Sequence, residues 1–569
     1  MPPCEARHPR GPCAAARQIG EATLGSLLAI AANGPASRRD DRMADIVLIN
    51  PRFDVSYWGL EHAVPFLGVK AVLPVACLPL VAALTPAEHR VTLVDENIEP
   101  IDFDRCARAD IVGITGMNVQ RRRMREILAE LKSRGVFTVV GGPYVTVQEG
   151  DIADLADVVF IGEAEETWPR FLAEWHEGRH QRRYEQAERT DMATVPAPRL
   201  DLLKMKKYAF ASVQFSRGCP FSCEFCDIIV TFGRRPRIKT SAQVLAELDA
   251  IVAAGMNFAF VVDDNLIGNK RAMKAVLREV VAWQQAKGYP LMFATEASVD
   301  LADEPELMQL MVDANFSDVF VGIESPNEAS LRETKKTQNL RDRGGTMLDK
   351  VHRIQDAGME VWCGIIVGFD NDDPSIFEAQ RQFVQDSRII NAIVNMLVAI
   401  PRTPLYKRLA AEGRLDAAGD PADFGAFGTN VVPMRLSRGE LRSGYVELMR
   451  DLNAPAAFFG RVEALYIEAR LQVGRTRAAY MRRHPLRRLR LNTRLLFESA
   501  GILTLLMWGV PDKALRREYR HWILRVARRR RDNPEIIQSC AIKCAMHYHI
   551  HRMIEQMDAS PPLAVPQAA

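Results

Sequence analysis

The stretch SRGCPFSCEFCDII, residues 216–229, places three cysteines within eight positions. They are Cys219, Cys223 and Cys226. A structural zinc site normally takes four ligands and a disulfide takes two. Three clustered thiolates therefore suit a metal centre that keeps one position open for another ligand.

The overall composition is that of an ordinary globular protein. The chain has 569 residues, 48% of them hydrophobic and 25% charged, and a net charge of +3. This length predicts about three domains. Ten mostly scattered cysteines favour a reducing, cytoplasmic setting over a disulfide framework. No apolar stretch reaches the roughly 18 residues of a membrane span, so we expect no transmembrane helix.

Residues 1–42 differ from the rest of the chain. They are rich in Pro, Ala and Arg and show no apolar period. We interpret them as a disordered extension or a mis-assigned start, because Met43 directly precedes the first strand-like run. The short apolar run TLGSLLAIAA leaves a secretory signal as the rival interpretation.

Residues 43–190 alternate buried-strand runs with helical patterns, which predicts a parallel sheet with helices on both faces. The runs are DIVLINP (45–51), RVTLVDENI (90–98), DIVGITGMN (110–118), FTVVGGP (137–143) and VVFIGE (158–163). Ligands of such sheets bind beyond the carboxyl ends of the strands. The candidate binding residues there are Asp95, Glu96, Thr115, Gly116, Met117, Gly141, Gly142, Pro143, Gly162 and Glu163.

Residues 200–420 contain six strand–helix units, which predict an open or partial (β/α)6 barrel. The first strand delivers Cys219 into its loop. Chemistry in barrels is concentrated where the strands end. The polar residues at those ends include Asp263, Asp264, Asn265, Glu296 and Glu324. Cysteine thiolates bind four-iron clusters, so we predict a [4Fe-4S] cluster; zinc with a distant fourth ligand is the alternative.

CxxxCxxC at the end of a first barrel strand resembles the radical S-adenosylmethionine (SAM) superfamily. The resemblance implies that the open iron binds SAM and that one electron, from a flavodoxin- or ferredoxin-type donor, cleaves SAM to a 5′-deoxyadenosyl radical. It places the SAM contacts at Phe225, Asp263, Asp264, Asn265, Glu296, Glu324 and Gly368. Solvated or helix-capping acids are the plainer interpretation of the acidic positions among them.

The domain before the barrel, with its strings DENI, GGP and IGEAEET, resembles the Rossmann-like domain of the cobalamin-binding radical SAM subgroup. The resemblance implies that the candidate residues at the first-domain strand ends contact cobalamin. The DxHxxG signature of that subgroup is absent, and VDENIEP and TGMNVQ are found instead. This departure leaves the lower face of the cobalt unassigned, and a degenerate domain that binds nothing stays open.

Two segments resemble one branch of that subgroup, the hopanoid C-2 methylases and bacteriochlorophyll side-chain methylases. They are CDIIVTFGRRPRIKT (226–240) and FVVDDNLIGN (260–269). The resemblance implies methyl transfer to an unactivated carbon of a large apolar substrate, lipid- or tetrapyrrole-like. The alternatives are a cyclase or rearranging enzyme without methyl transfer, and a non-catalytic Fe–S/cobalamin sensor.

Residues 421–569 predict a mainly helical C-terminal domain with a basic segment. Residues 482–531 contain fifteen Lys and Arg against three acids, a local charge of +12. The apolar run LLFESAGILTLLMWGVP (495–511) lies between the basic clusters, which suits an anionic membrane surface. We therefore interpret the segment as a substrate or membrane-surface domain, peripheral to the inner membrane, and expect no nucleic acid; a solvated helical surface is the alternative. We interpret CAIKCAMHYHIH (540–551) as helix core and surface rather than as a second metal site.

Overall fold

Two six-stranded parallel sheets organise the chain. The computed structural model describes residues 43–57, 59–340, 345–416 and 427–559. The predictions made for residues 1–42 fall outside these ranges.

The first sheet has the strand order β2-β1-β3-β4-β5-β6. Its strands are β1 Asp45–Asn50, β2 Arg90–Asp95, β3 Ile111–Thr115, β4 Thr138–Gly141, β5 Val158–Ile161 and β6 Arg183–Glu185. Its helices are α1 Cys77–Leu84, α2 Phe103–Ala107, α3 Arg121–Ser133, α4 Pro143–Val147 and α5 Thr167–His176. Val, Ile and Leu dominate β1 and β3 because helices cover both faces of the sheet. The five predicted strands are present, and β6 adds an edge strand that the sequence did not suggest.

The second sheet has the order β14-β13-β12-β11-β10-β7, with β7 and β14 at its open edges. Its strands are β7 Ala211–Val213, β10 Phe258–Val261, β11 Met292–Glu296, β12 Phe316–Glu324, β13 Glu360–Val367 and β14 Ala392–Met396. Its helices are α6 Ile228–Thr231, α7 Ser241–Ala253, α8 Lys270–Lys287, α9 Pro305–Asp313, α10 Glu328–Glu333, α11 Met347–Asp356, α12 Ser375–Asp386 and α13 Pro404–Ala411. Six parallel strands with helices between them form the predicted partial barrel.

A short antiparallel ribbon carries the cysteine motif. It consists of β8 Ser216–Arg217 and β9 Arg237–Ile238, which pair after β7 and before α7. The sequence analysis did not predict this ribbon. It fixes both ends of the loop that contains the three cysteines.

The segment that leads into β7 pairs with the first domain. The Lys70 amide donates to the Lys207 carbonyl at 2.9 Å, and the Phe210 amide donates to the Val72 carbonyl at 2.8 Å. These main-chain bonds fix the start of the barrel against the segment that precedes α1.

Six helices complete the described chain: α14 Arg438–Asn453, α15 Pro455–Val462, α16 Arg475–Arg482, α17 Pro485–Gly509, α18 Lys513–Arg529 and α19 Pro534–Ala559. Tyr445 and Met449 of α14 and Met553 of α19 are fully buried in the barrel core. The Tyr445 hydroxyl donates to the Val394 carbonyl at 3.3 Å. The helices therefore pack directly on the barrel. No helix in the described ranges combines the length and apolarity needed to cross a bilayer.

The 540–551 segment lies in α19. Cys540 and Cys544 are fully buried in an apolar cluster, and His547 hydrogen-bonds the Tyr519 hydroxyl and the Asn453 carbonyl. Burial lowers the pKa of His547 to about 4, so the ring is neutral. Within the described residues, no group of three or more His, Cys, Asp or Glu side chains is placed to hold a single metal ion.

Candidate active site

One large cavity extends from the strand carboxyl ends of the first sheet through the barrel, where Phe258 and Met292 at the amino ends of β10 and β11 also line it. Its volume is about 2180 Å³, more than twice the upper end of the roughly 300–1,000 Å³ of an ordinary small-molecule pocket. Thr115 and Gly142 line it from the first sheet, and Asp264 and Glu296 line it from the barrel. Such a volume suits more than one ligand, or a ligand of unusual size.

The loop that carries the cysteines depends on a glycine. Gly218 has a φ of +91°, and a Cβ atom there would lie 3.0 Å from the carbonyl oxygens of both Gly233 and Arg235. Only glycine tolerates this conformation together with so close an approach of backbone. The Cys219 amide then donates to the Gly233 carbonyl at 3.2 Å, which directs the first cysteine into the loop.

Two amide side chains contact the cysteine sulfurs. The Nδ2 atom of Asn265 lies 3.8 Å from the Cys219 Sγ, and the Nε2 atom of Gln338 lies 3.5 Å from the Cys223 Sγ. Burial raises the pKa of the Cys219 and Cys226 thiols. Gln338 was not predicted, because it lies in a short 3-10 helix more than a hundred residues after the motif.

A buried ion pair lies beside the cysteines. The Lys336 ammonium contacts the Glu324 carboxylate at 2.5 Å and lies 5.8 Å from the centre of the Phe225 ring. Burial alone would lower the pKa of Lys336, but the Glu324 carboxylate and the Cys223 and Cys226 thiolates together raise it. Lys336 was not among the predicted residues. Glu324 has a φ of +63°, an uncommon conformation for a non-glycine residue.

The three predicted acids at the ends of β10 and β11 have different partners. Asp263 accepts from the Phe215 amide at 2.7 Å and the Ser216 hydroxyl at 2.6 Å, so both its oxygens hold the ribbon. Asp264 accepts from the Gly218 amide at 2.7 Å. Glu296 has no hydrogen-bond or ion-pair partner among the described side chains. Burial, and then the Asp264 and Asp263 charges, raise the pKa of Glu296 to about 8.

The other predicted SAM contacts lie near the cysteines but outside the cavity lining. They are Phe225, Asn265, Glu324 and Gly368. The Phe225 ring packs 6.1 Å from the Phe369 ring. Gly368, with a φ of +101°, packs against Leu441 of α14.

Most of the predicted cobalamin contacts line the cavity. They are Glu96, Thr115, Gly116, Met117, Gly141, Gly142, Pro143, Gly162 and Glu163. Gly142 has a φ of +102°, and a Cβ atom there would lie 2.3 Å from the Thr115 Oγ1 atom. The glycine thus lets the β3 and β4 ends approach each other at the cavity wall.

Two acids among the predicted cobalamin contacts, Asp95 and Glu96, bind protein side chains instead. Asp95 lies outside the cavity lining and accepts from Asn50 at 3.1 Å, from Tyr208 at 2.8 Å and from Asn97. Glu96 lines the cavity, but its carboxylate is bound by the Arg123 guanidinium. Both carboxylates stabilise the strand ends of the first domain.

Glu163 connects the two sheets. Its carboxylate binds Arg217 at 2.8 Å and Arg237 at 2.9 Å, and these arginines lie on β8 and β9. The Arg217 guanidinium also contacts Glu165 at 2.5 Å. The end of β5 therefore holds the ribbon that carries the cysteine loop.

Comparisons with known families divide the chain into three matched regions. Residues 69–172 match the B12 binding domain and residues 213–383 match the radical SAM superfamily. Residues 403–561 match a domain of unknown function, DUF4070.

Two curated relatives decide the family. The chain is 40% identical over 419 residues to an uncharacterized methyltransferase of Synechocystis sp., covering 73% of this chain and 77% of the relative. It is 36% identical over 391 residues to the hopanoid C-2 methylase of Rhodopseudomonas palustris, covering 68% and 72%. The chain belongs to the cobalamin-binding radical SAM methyltransferases. The enzyme's cofactors are accordingly a [4Fe-4S] cluster, SAM and cobalamin.

The fold agrees with this assignment. The solved structure of the cobalamin-dependent SAM radical enzyme OxsB, with aqua-cobalamin and SAM bound, superposes with a TM-score of 0.58 at 15% identity, covering 91% of this chain and 81% of that one. The α/β architecture of a B12-binding domain, a radical SAM barrel and a helical C-terminal region is therefore confirmed.

The enzyme's residues fit these cofactors. One loop presents three thiols, the donor type that iron–sulfur clusters require. An unpartnered carboxylate inside the cavity, Glu296, suits a cationic ligand such as the ammonium of SAM. The cavity volume exceeds what one ordinary cofactor fills, and its walls come from both sheets.

Proposed function

We propose that the enzyme transfers a methyl group to an unactivated carbon of a large apolar substrate, a lipid-like polycyclic skeleton. A single cavity that joins the B12-domain strand ends to the barrel's acids and apolar interior carries this proposal. When bound, the three cofactors supply the methyl group and the radical chemistry that a carbon without an acidic proton requires.

In this proposal, Cys219, Cys223 and Cys226 hold the cluster. Asn265 and Gln338 donate towards two of the sulfurs, an arrangement that tunes cluster potentials in proteins. Lys336 adds a buried positive charge beside the same loop. In this proposal, Asn265 and Gln338 orient the thiolates, and Lys336 makes the local electrostatic potential more positive.

Glu296 and Asp264 are proposed to bind the ammonium of SAM. Both line the cavity, and Asp264 also holds the Gly218 amide, so the acid that faces the ligand fixes the cysteine loop. A positive ligand would stabilise the charged form of Glu296, which burial, and then the Asp264 and Asp263 charges, disfavour.

The β3 and β4 ends are proposed to hold cobalamin. Residues 115–117 and 141–143 line the cavity, and three of these six residues are glycines. Two adjacent glycines there let a broad macrocycle approach the backbone. Asp95, which holds Asn50 and Tyr208 instead, has a supporting role in this proposal.

The substrate is proposed to occupy the barrel interior. Its lining there includes apolar side chains from several strands, Phe260, Ala294, Phe320, Trp362 and Ile393, together with the charged Asp318 and Lys543. Such a wall excludes water and prevents side reactions of a reactive intermediate. The similarity to a hopanoid C-2 methylase supports a polycyclic hydrocarbon of that kind.

The proposal also includes an electron-donor protein, a membrane contact and a cellular location. A flavodoxin- or ferredoxin-type protein supplies the electron, since the cluster must be reduced before SAM is cleaved. We place the enzyme in the cytoplasm, in peripheral contact with the inner membrane through its basic C-terminal region.

An anaerobic assay tests the function. Reconstituted enzyme with cobalamin, SAM, a reductant and a total lipid extract should release both S-adenosylhomocysteine and 5′-deoxyadenosine. It should also yield a lipid heavier by one CH2 unit, because a methyl group replaces a hydrogen atom. Release of 5′-deoxyadenosine alone would indicate a cyclase or rearranging enzyme. SAM binding without release of either product would indicate a sensor.

A further inference from the structure

Helix α17 exposes an apolar stripe to solvent. The stripe consists of Leu486, Leu489, Leu496, Phe497 and Trp508. Leu486, Phe497 and Trp508 recur every eleven residues, close to three helical turns, so they lie along one line of the helix. Phe497 is 75% exposed and Trp508 is 86% exposed. An extended apolar patch that is rimmed by polar residues marks a site of interaction with a protein or a membrane.

Exposed arginines flank this stripe. Arg483, Arg487, Arg488 and Arg490 precede or interleave with its first half. On the following helix, exposed residues of the same charge include Arg517, Arg520, Arg528 and Arg529. Of the three acids in this region, Glu498 is paired with Arg494, Asp512 caps the start of α18, and Glu518 accepts from the Trp522 indole N–H at 3.2 Å. The surface around the stripe is therefore strongly positive.

The opposite face of α17 lines the active-site cavity. Leu491, Leu495, Glu498, Ile502 and Leu505 follow a spacing of three or four residues and all belong to the cavity wall. Leu505 is also 43% exposed, so it lies where the cavity meets the outer surface. The cavity and the apolar stripe therefore lie on opposite sides of α17, separated only by the width of that helix.

We infer that α17 lies flat on an anionic bilayer, with its stripe inserted among the lipids, and that apolar substrate passes from the bilayer into the cavity beside Leu505. An amphipathic helix with Trp, Phe and Leu on one side and Arg at its flanks has the composition of an interfacial helix. Trp favours the level of the headgroups, and arginines attract anionic lipids. The substrate route rests on the proposed methyl transfer. The docking of α17 does not rest on it, and it specifies the peripheral membrane contact proposed above.

Charge identifies the partner as lipid. In a symmetric dimer the same patch would face itself, and two copies of this arginine-rich surface would repel each other. A nucleic acid would pair with the arginines but would leave Phe497 and Trp508 without a function. An anionic bilayer offers both negative headgroups and an apolar interior.

Vesicle co-sedimentation of the full chain tests the docking. We expect several-fold more binding to vesicles of phosphatidylglycerol and phosphatidylcholine than to vesicles of phosphatidylcholine alone, and a marked loss at high salt. The double variant Phe497→Ser/Trp508→Ser should lose most of the binding and keep its melting temperature. The control is Met434→Ser, which removes an apolar side chain that is 66% exposed and lies away from α17.

A charge variant gives a second arm of the same test. Arg487→Gln/Arg490→Gln should weaken binding to the anionic vesicles, whereas Arg271→Gln, an exposed arginine of the barrel helix α8, should not. Trp508→Phe should keep the binding but lose part of the fluorescence quenching by brominated acyl chains.

Several outcomes would overturn the inference. They are equal binding of the native chain and the Phe497/Trp508 variant, a dimer that this variant converts to monomer, and DNA binding that needs the arginines but not the stripe. Turnover of detergent-dispersed substrate separates the two proposals. The Phe497/Trp508 variant should methylate it like the native enzyme, since neither residue lines the cavity. Vesicle binding without any methylation in detergent would refute the proposed function and leave the docking standing.

Discussion

The carboxylate of Glu163, just beyond β5, lies 2.8 Å from the Arg217 guanidinium, two residues before Cys219. A side chain of the B12-binding sheet thus holds the base of the loop that carries the cysteines. Both side chains are almost fully buried, so water does not weaken the interaction. The geometry links the two cofactor regions through one ion pair.

Arg217→Gln should therefore both destabilise the fold and loosen the cysteine loop. Removing one partner of a buried ion pair costs about 3–5 kcal/mol, and here it leaves Glu165 without its arginine. We expect a clearly lower melting temperature and less iron per chain after reconstitution. Arg199→Gln breaks an exposed pair with Asp201 and should cost about 0–1 kcal/mol. Equal behaviour of the two variants would refute the role of Arg217.

Gly218→Ala should impair iron binding by displacing the cysteine loop. Its Cβ would press on the carbonyls of Gly233 and Arg235, in addition to the backbone strain of about 1–2 kcal/mol at a positive φ. Gly135→Ala is the matched control, because its φ is +68° and nothing lies within 4 Å of the added carbon. Iron content after reconstitution should fall in the first variant only.

Glu296 should make the cofactor-free chain less stable as pH rises. Its pKa is about 8 in the folded chain, whereas the ordinary value for an exposed glutamate is 4.5. The favourable contribution of Glu296 to the free energy of unfolding is therefore fully present below about pH 4.5. It is lost as the pH rises towards 8. Each tenfold change in proton affinity corresponds to about 1.4 kcal/mol. Glu296→Gln should flatten the fall in melting temperature over this range, whereas Glu279→Gln, an exposed acid of α8, should leave it unchanged.

The same Glu296→Gln variant should weaken SAM binding. Hydrogen bonds to charged groups contribute about 1.5–3 kcal/mol, so we expect a loss of roughly 10- to 100-fold in anaerobic equilibrium dialysis. Unchanged SAM affinity in this variant would remove Glu296 from the proposed binding site.

Lys336→Gln should make the cluster harder to reduce. A buried positive charge near the thiolates stabilises the more negative, reduced state, and net charge is one determinant of cluster potential. We expect a more negative midpoint in a redox titration followed by EPR. Lys335→Gln removes the same charge from an exposed neighbour paired with Glu224 and should shift the potential less, because solvent screens it. A potential unchanged by Lys336→Gln would contradict this assignment.

Much of the fold could be predicted because local pattern determines it. Runs such as DIVLINP and VVFIGE are too apolar for a surface position, and the helices between them favour parallel pairing. Strand β6 was not predicted because its sequence, RYE, is only three residues long and only Tyr184 is buried in it. The ribbon of β8 and β9 is shorter still and carries no period.

The partners of the strand-end acids could not be predicted, because they come from distant sequence. From the sequence alone, Asp95 resembles a ligand-binding residue. In the structure, the hydroxyl of Tyr208, 113 residues later, donates to its carboxylate. Lys336 reaches the cysteines only because α10 returns the chain to the barrel mouth. The exposure of Trp508 likewise depends on which face of α17 packs inward, which the evenly apolar run 495–511 does not show.

Iron and sulfide content is the decisive measurement for the cluster on which the proposed chemistry depends. The anaerobically reconstituted native chain should contain about four iron atoms and four sulfides, with the EPR signal of a reduced [4Fe-4S] cluster. Single alanine variants of Cys219, Cys223 and Cys226 should each lose it, whereas Cys363→Ala, in the buried strand β13, should keep it. A native preparation with stoichiometric zinc and no sulfide, or a cluster that survives all three loop variants, would refute the assignment.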